Sequence, residues 1–345
     1  MKLLVTAQVL DQSDPVLGFF HEWIKEIAGR VDHVEVICLK VGSHDLPENV
    51  QVHSLGKEMG ARSQLSYACQ YVYLVWKLRG EYDRVFIHMN QEYILVAGWL
   101  LKLLGKPIYL WRNHYAGSWL TDVAAAFCTK VFCTSKHSYT ARYDKTVRMP
   151  VGVDTERFYI DSATPPTPHS VLFLSRMSPS KQPDLFIEAL GILSAQGIPF
   201  KASVYGSPLP PDEAYYESLI ARAETLKIHD RVHFYASVTH EKAAEIFRAH
   251  EVFVNCSPSG MFDKTLFEAA LSGAMVLAAS KDFGEETDMA NVYEQGNSAD
   301  LVARLEAALT LAPAERVARS QILQKAGLRN SLTVLATTLV QEMNT

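Results

Sequence analysis

Two cations five residues apart, Arg176 and Lys181, stand where an apolar run gives way to a Ser-Pro-Ser turn and then a helical pattern, in FLSRMSPSKQPDLFIEAL (Phe173 to Leu190). Aimed at one strand-to-helix loop, such a pair can grip a diphosphate beside the amides that open the helix. An exposed Arg and Lys flanking an ordinary turn would look the same locally. A second block, VNCSPSGMFDKTLFEAALSGA (Val254 to Ala274), runs from an apolar stretch through Ser257-Pro258-Ser259-Gly260 into a helix beginning near Lys264. Glu268 lies one turn beyond Lys264. A carboxylate there can accept both hydroxyls of a ribose, while the loop amides of Gly260, Met261 and Phe262 can face an anionic or sugar group. The competing use of Glu268 is an i,i+4 pair with Lys264, worth roughly 0.2–0.5 kcal/mol.

Other polar residues stand at the ends of apolar runs. His114 follows one in IYLWRNHYAGS, and His88, Asn90 and Glu92 close another in IHMNQEY, where they could equally cap the helical pattern that starts at Tyr93. Gly18 sits where the first loop enters its helix, and its missing Cβ would let a ligand approach closely. No Gly-x-Gly-x-x-Gly follows the first strand and no Gly-x4-Gly-Lys-Ser/Thr occurs, so dinucleotide and P-loop chemistry lack their signatures. Cys128 and Cys133 have no second Cys or His pair at zinc spacing, and no Asp-x-Asp pair presents itself for a divalent cation.

The elements that must hold these residues alternate from end to end. Strands are expected at 2–6, 34–39, 84–88, 108–111 and 130–133, with helices at about 19–28, 64–78, 93–104 and 120–126 between them. A second series follows: strands at 170–174, 201–205, 232–235, 252–255 and 275–279, helices at 182–196, 214–226, 241–249 and 264–272, and three closing helical stretches, the last at about 331–343. This alternation predicts parallel sheets covered by helices on both faces. Asp161 to His169 (DSATPPTPH), rich in Pro, Ser and Thr, reads as a linker. The expected fold is therefore α/β, with two doubly wound, Rossmann-like domains facing a central cleft at the carboxyl ends of their strands.

Length and charge agree with two domains. The chain has 345 residues, 48% of them hydrophobic and 21% charged, which excludes disordered and fibrous classes. The net charge of −5 excludes a strongly basic nucleic-acid binder, yet residues 1–150 carry +3 and the remainder −8. The N-terminus reaches Gln8 and Asp11 too soon for a signal peptide. The longest apolar run, Tyr93 to Leu101, is about half of what a membrane span needs. Cys38, Cys69 and Cys256 lie in apolar runs, as reduced core thiols of a cytoplasmic protein would. Residues 57–84 interleave Lys57, Arg62, Lys77, Arg79 and Arg84 with Tyr67, Tyr71, Tyr73 and Trp76. They read either as an ordinary amphipathic helix or as a face for anionic lipid at the inner side of the cytoplasmic membrane.

In order and spacing, the two blocks resemble the retaining GT-B-fold glycosyltransferases of family four, the bacterial group-1 type. PVGVDTERF (Pro150 to Phe158) is similar to that family's interdomain segment, NSLTVLATTLVQEM to its closing helix, and DPVLGFFHEWIKEIA to the opening loop and helix of one bacterial branch. The resemblance implies an acceptor-side domain at 1–150, a linker at 151–169, a nucleotide-sugar donor domain at 170–328 and a helix at 329–345 that packs back on the first domain. It implies that Arg176 and Lys181 bind the donor diphosphate, that Glu268 binds the ribose and that His114 faces the donor sugar. His88, Asn90 and Glu92 would line the acceptor side. Gly260 stands where the family's first Glu of Glu-x7-Glu should be, and Asp263 or Lys264 is the expected substitute.

The reaction so implied moves a sugar from a nucleotide-diphosphate donor, a co-substrate, to a glycan or lipid-linked acceptor in cell-surface polysaccharide or glycolipid synthesis. The anomeric configuration is retained. No cofactor, metal or nucleic acid is called for, because the two cations would stabilise the leaving diphosphate. Two rivals keep the same donor contacts: a GT-B-fold nucleotide-sugar epimerase, and a binding module without catalysis.

Overall fold

Short runs dominated by Val, Ile, Leu and Phe, most of them followed by a helical segment, pair side by side and in parallel. The computed structural model describes residues 1–345 except Pro15, Ser162, Thr164, Met261 and Phe262. The chain divides into two units, Met1–Gly152 with Leu332–Thr345, and Val153–Ser331.

The first unit holds strands β1 (Lys2–Leu10), β2 (His33–Val41), β3 (Val50–Ser54), β4 (Arg84–His88), β5 (Ile108–Trp111), β6 (Lys130–Cys133) and β7 (Thr146–Arg148), in the order β3-β2-β1-β4-β5-β6-β7. Every neighbouring pair is parallel. Helices α1 (Phe19–Ala28), α2 (Gln64–Lys77), α3 (Glu92–Leu103) and α4 (Trp119–Phe127) cover the sheet. Alternation along β1 sends Leu3, Val5 and Ala7 into one core with Phe20, Trp23 and Ile24 of α1, and Leu4 into the opposite core with Tyr71 of α2 and Leu101 of α3.

In the second unit, β8 (Thr167–Leu174), β9 (Lys201–Tyr205), β10 (Val232–Tyr235), β11 (His250–Asn255) and β12 (Met275–Ala278) form a parallel sheet in the order β10-β9-β8-β11-β12. The α-helices that belong with it are α5 (Pro183–Ala195), α6 (Glu213–Thr225), α7 (His240–Arg248), α8 (Thr265–Leu271), α9 (Lys281–Glu286), α10 (Ser298–Leu309) and α11 (Pro313–Arg329). The last helix, α12 (Leu332–Asn344), returns to the first unit, where Leu335, Leu339 and Met343 are buried in the α1 core.

Several local features differ from expectation. Strands β3 and β7 were not anticipated. The first is five half-buried residues after a loop, and the second has only three, too short to show alternation. The Pro-, Ser- and Thr-rich stretch at 161–169 lies inside the second unit, with Thr167–His169 already in β8; the chain passes between units at Gly152–Val153 and again at Ser331–Leu332. Cys69 is exposed, not a core thiol, because it lies on the outward side of α2; the other four cysteines are buried, and none of the five forms a disulfide among the described residues. No described helix is long and apolar enough to cross a membrane.

Candidate functional site

In the second unit, the central strand β8 ends at Leu174 and the loop that carries both cations follows. Two backbone bonds, Ser175 N–H to Tyr205 O (3.1 Å) and Met177 N–H to Ser207 O (3.2 Å), tie this loop to the end of β9. Met177 is fully buried and anchors the turn. The neighbouring strand end can come this close only through Gly206, where a Cβ would lie 1.9 Å from the Ser175 carbonyl oxygen. Arg176 is exposed and has no hydrogen-bond or ion-pair partner among the described residues. Lys181 ends a short 3₁₀ turn, Pro179–Lys181, and Pro183 opens α5 with the backbone angle a first helical turn requires.

Lys181 is not free. Its ammonium donates to both carboxylate oxygens of Asp263 (2.7 Å each) and to Ser257 Oγ (3.1 Å). Asp263 Oδ2 also accepts from Asn255 Nδ2 (3.0 Å) and from Ser257 Oγ. Asn255 is the last residue of β11, so two adjacent strand ends, β8 and β11, supply this network. Burial pushes the Asp263 carboxyl up, but the charge and hydrogen bonds of Lys181, with those of Ser257 and Asn255, more than offset it and hold the group ionised below its ordinary range.

Glu268 lies on α8, a helix whose residues Leu266 to Leu271 are all buried. Its principal partner is His240, at the start of α7, and not Lys264: His240 Nε2 is 2.7 Å from Glu268 Oε1, and Lys264 Nζ is 3.9 Å away. On its other side His240 meets Arg157, whose Nη1 is 2.9 Å from His240 Nδ1. A guanidinium only donates, so Nδ1 accepts and the ring proton resides on Nε2, where it is given to Glu268. Burial again works to raise the carboxyl; the electrostatic attraction and hydrogen bond of His240, with Lys264 and Arg157 nearby, lower it overall. A half-buried carboxylate in the loop between β11 and α8 and a buried one on α8 are thus each held by named cations or donors. Gly260 adopts a positive φ of 90° in that loop. Met261 and Phe262 lie outside the described residues.

The first-unit residues fall into two kinds. His114 and the residues around Asn90 and Glu92 sit at the carboxyl ends of the adjacent strands β5 and β4, joined where Arg112 Nε donates to Gln91 Oε1 (3.2 Å). His114 Nδ1 lies 2.9 Å from the Ala116 amide nitrogen and 3.3 Å from the Ala116 carbonyl oxygen. Glu92 is exposed in the first turn of α3. His88 differs. It is buried, stacked on Phe20 at 4.2 Å and edge-on to Trp23 and Phe19, and burial drops its pKa to about 3. A neutral ring packed in this way is a core residue, which corrects its expected place on a binding surface. Gly18 is also explained from within: an added Cβ would lie 2.6 Å from the Asp14 carbonyl oxygen and 2.9 Å from that of Gln12, so the residue allows its own loop to fold back, with no ligand needed. Among the described residues, no group of three or more His, Cys, Asp or Glu side chains is placed to hold a metal ion.

The aromatic stretch at 57–84 contains all of α2, whose outward stripe is apolar: Leu65, Cys69, Tyr73 and Trp76 are exposed. The adjoining α3 and α4 add exposed Trp99, Leu103, Trp119, Leu120 and Val123. Arg79 stacks over the Trp76 ring at 4.3 Å, and Lys77 and Lys102 are exposed in the last turns of α2 and α3.

Sequence reasoning missed His240, Arg157, Asn255 and Ser257 as parts of the site. Their roles come from contacts across 28 and 83 residues in the first two cases, for which sequence spacing gives no sign.

The family model described as glycosyl transferases group 1 matches residues 154–323. A D-inositol 3-phosphate glycosyltransferase of Streptomyces scabiei is 35% identical over 113 residues, covering 32% of this chain and 25% of that protein. One of Rhodococcus erythropolis is 32% identical over 111 residues, with the same coverage. The match thus spans about a quarter of the length of these curated relatives. Among solved structures, Anabaena Alr3699/HepE in complex with UDP and glucose superposes with a TM-score of 0.79 at 18% identity over 100% of both chains. Sucrose-phosphate synthase of Thermosynechococcus elongatus gives 0.77 at 15% over 99% of this chain and 98% of its own. At such identities the likeness is one of fold, and the fold is GT-B.

Proposed function

We propose that this chain, whose residues 154–323 belong to the group 1 glycosyl transferases, transfers a sugar from a nucleotide-diphosphate donor to a glycan or lipid-linked acceptor with retention at the anomeric carbon. The observation that carries the reading is the convergence on the β8 and β11 strand ends of Lys181, with Arg176 in the same loop, and of Glu268 held by His240 and Arg157. Ligands of doubly wound sheets bind at such carboxyl ends. Lys181 and Arg176 would take the negative charge that grows on the leaving diphosphate, so a divalent metal is not required for that step. Glu268 would accept the ribose hydroxyls, its orientation fixed by His240 in advance. Arg157 and His240 act through Glu268 as positioning residues. His114 is the first-unit residue proposed to face the donor sugar. UDP is the diphosphate to try first, since the Anabaena protein named above binds it.

The outward stripe of α2, α3 and α4 supports peripheral contact with an anionic cytoplasmic membrane, where a lipid-linked acceptor would be met. Its exposed Trp and Tyr rings and its cations are the residue types that bilayer interfaces favour. The proposed setting is cell-surface polysaccharide or glycolipid synthesis at the inner face of that membrane.

Turnover tests the reading. UDP-, GDP- and ADP-sugars should release nucleoside diphosphate at an appreciable rate only when a glycan or lipid-linked acceptor is added, with EDTA making no difference. The new linkage should show the donor's anomeric configuration by NMR. Acceptor-independent change of the donor would support an epimerase instead, and turnover lost to EDTA and restored by Mg²⁺ would contradict the metal-independent mechanism.

A further inference from the structure

Lys181 presents a difficulty for a diphosphate-binding cation. An ammonium has three donors, and Lys181 gives them to Asp263 Oδ1, Asp263 Oδ2 and Ser257 Oγ. Its charge is neutralised by a carboxylate in bidentate contact, and the pair is largely withdrawn from solvent, at 11% and 20% side-chain exposure. Asp263 is in turn fixed by Asn255 and Ser257, so the carboxylate is held at the ammonium by more than the ammonium itself. Asp263 therefore lies where an anion bound to Lys181 would have to lie.

We infer that Asp263 is a built-in occupant of the diphosphate position, and that donor binding is an exchange in which the diphosphate takes Lys181 from Asp263. The inference rests on the donor reading given above and adds a residue that sets both affinity and selectivity at that site. A largely buried lysine without a counter-ion would be strongly destabilising; Asp263 supplies one until a stronger anion arrives. The exchange costs the salt bridge, so a weakly charged ligand gains little from it. A diphosphate, with more charge and more acceptor oxygens than a carboxylate, can complete it with help from Arg176, which is exposed and has no partner among the described residues. Asn255 and Ser257 remain to hold the released carboxylate, so Asp263 need not be left unpaired. This gives the chain a discrimination in favour of diphosphates over monophosphates that a free lysine would lack.

The test is a titration of wild type, Asp263→Asn and Asp263→Asn/Lys181→Ala with inorganic pyrophosphate, UDP, GDP, ADP and UMP, read by calorimetry. Asp263→Asn removes the competing charge and keeps the shape, so pyrophosphate and the bound diphosphates should tighten at least tenfold. UMP should gain proportionally more, narrowing the diphosphate preference. The gain should vanish in the double variant. Diphosphate binding by wild type that is unchanged or weakened in Asp263→Asn, or a gain that survives without Lys181, overturns the inference and leaves the donor reading standing. Absence of diphosphate binding by both wild type and Asp263→Asn overturns both. Should Asp263→Asn fail to fold alone, pyrophosphate should restore its folding by replacing the missing anion, and failure to do so counts against the exchange.

Discussion

At the scale of single residues, the site is a matter of which charges are partnered and by what. Lys181 and Glu268 are both engaged, one by a carboxylate and the other by a histidine, whereas Arg176 is exposed and has no partner among the described residues. Arg176, Lys181 and Glu268 could be singled out from sequence because each lies in a short block whose turn and helix signals are local. His240, Arg157 and Asn255 could not, because what makes them part of the site is where distant strand and helix ends meet. His88 shows the opposite failure: a polar residue at a strand end looked exposed, and three aromatic rings enclose it. That enclosure has a pH consequence. With a folded pKa of about 3, His88 stays neutral in the native state while the unfolded chain takes up a proton near the ordinary value of about 6.5. The unfolded state therefore binds more protons between these limits, and stability falls as pH drops through them. Denaturant melts at pH 6.5 and 5 should show the wild type losing about 1.5 kcal/mol more than His88→Phe. Equal losses would contradict the buried, neutral assignment.

At the scale of elements, the strand ends do the positioning. Many bounds were legible, since apolar runs cut off by Gly, Pro or charge are unambiguous; β4, β5, β6, β9 and β10 run as expected. The weak edge strands β3 and β7 were not, because their pairing comes from neighbours rather than from their own pattern. Gly206 is the element-level device of the site, since the end of β9 passes close against the loop that carries Arg176. Gly206→Ala should cost about 2–4 kcal/mol by forcing these two strand ends apart, in the range of severe backbone effects. It should also weaken nucleotide binding, because the Arg176–Lys181 loop moves with Ser175. Chemical denaturation and calorimetry on the same variant check both, and a variant of unchanged stability would show that the close approach is not required.

At the scale of the whole molecule, the opposite charges of the two chain halves accompany different surfaces. The first unit carries the exposed aromatic stripe of α2, α3 and α4 with its neighbouring cations. The second is acidic and concentrates Arg176 and Lys181 in one loop. A basic residue near an anionic membrane contributes about 1 kcal/mol, so Lys77→Ala/Arg79→Ala should lose about 2 kcal/mol of liposome affinity. That is tens-fold less protein sedimenting with anionic vesicles at limiting lipid. Sedimentation equal to wild type would remove the membrane from the account. The two-unit α/β plan was visible in the alternation of the sequence; where the chain passes between units was not, since Phe158 and its neighbours pack into the second unit through contacts no composition reveals. The central claim is that the second unit binds a nucleoside diphosphate through Lys181. Thermal melts of wild type and Lys181→Ala with UDP, GDP and ADP test it most directly. At least one nucleotide should raise the wild-type midpoint by several degrees and leave Lys181→Ala unmoved; no shift with any of them, or equal shifts in both proteins, would contradict it.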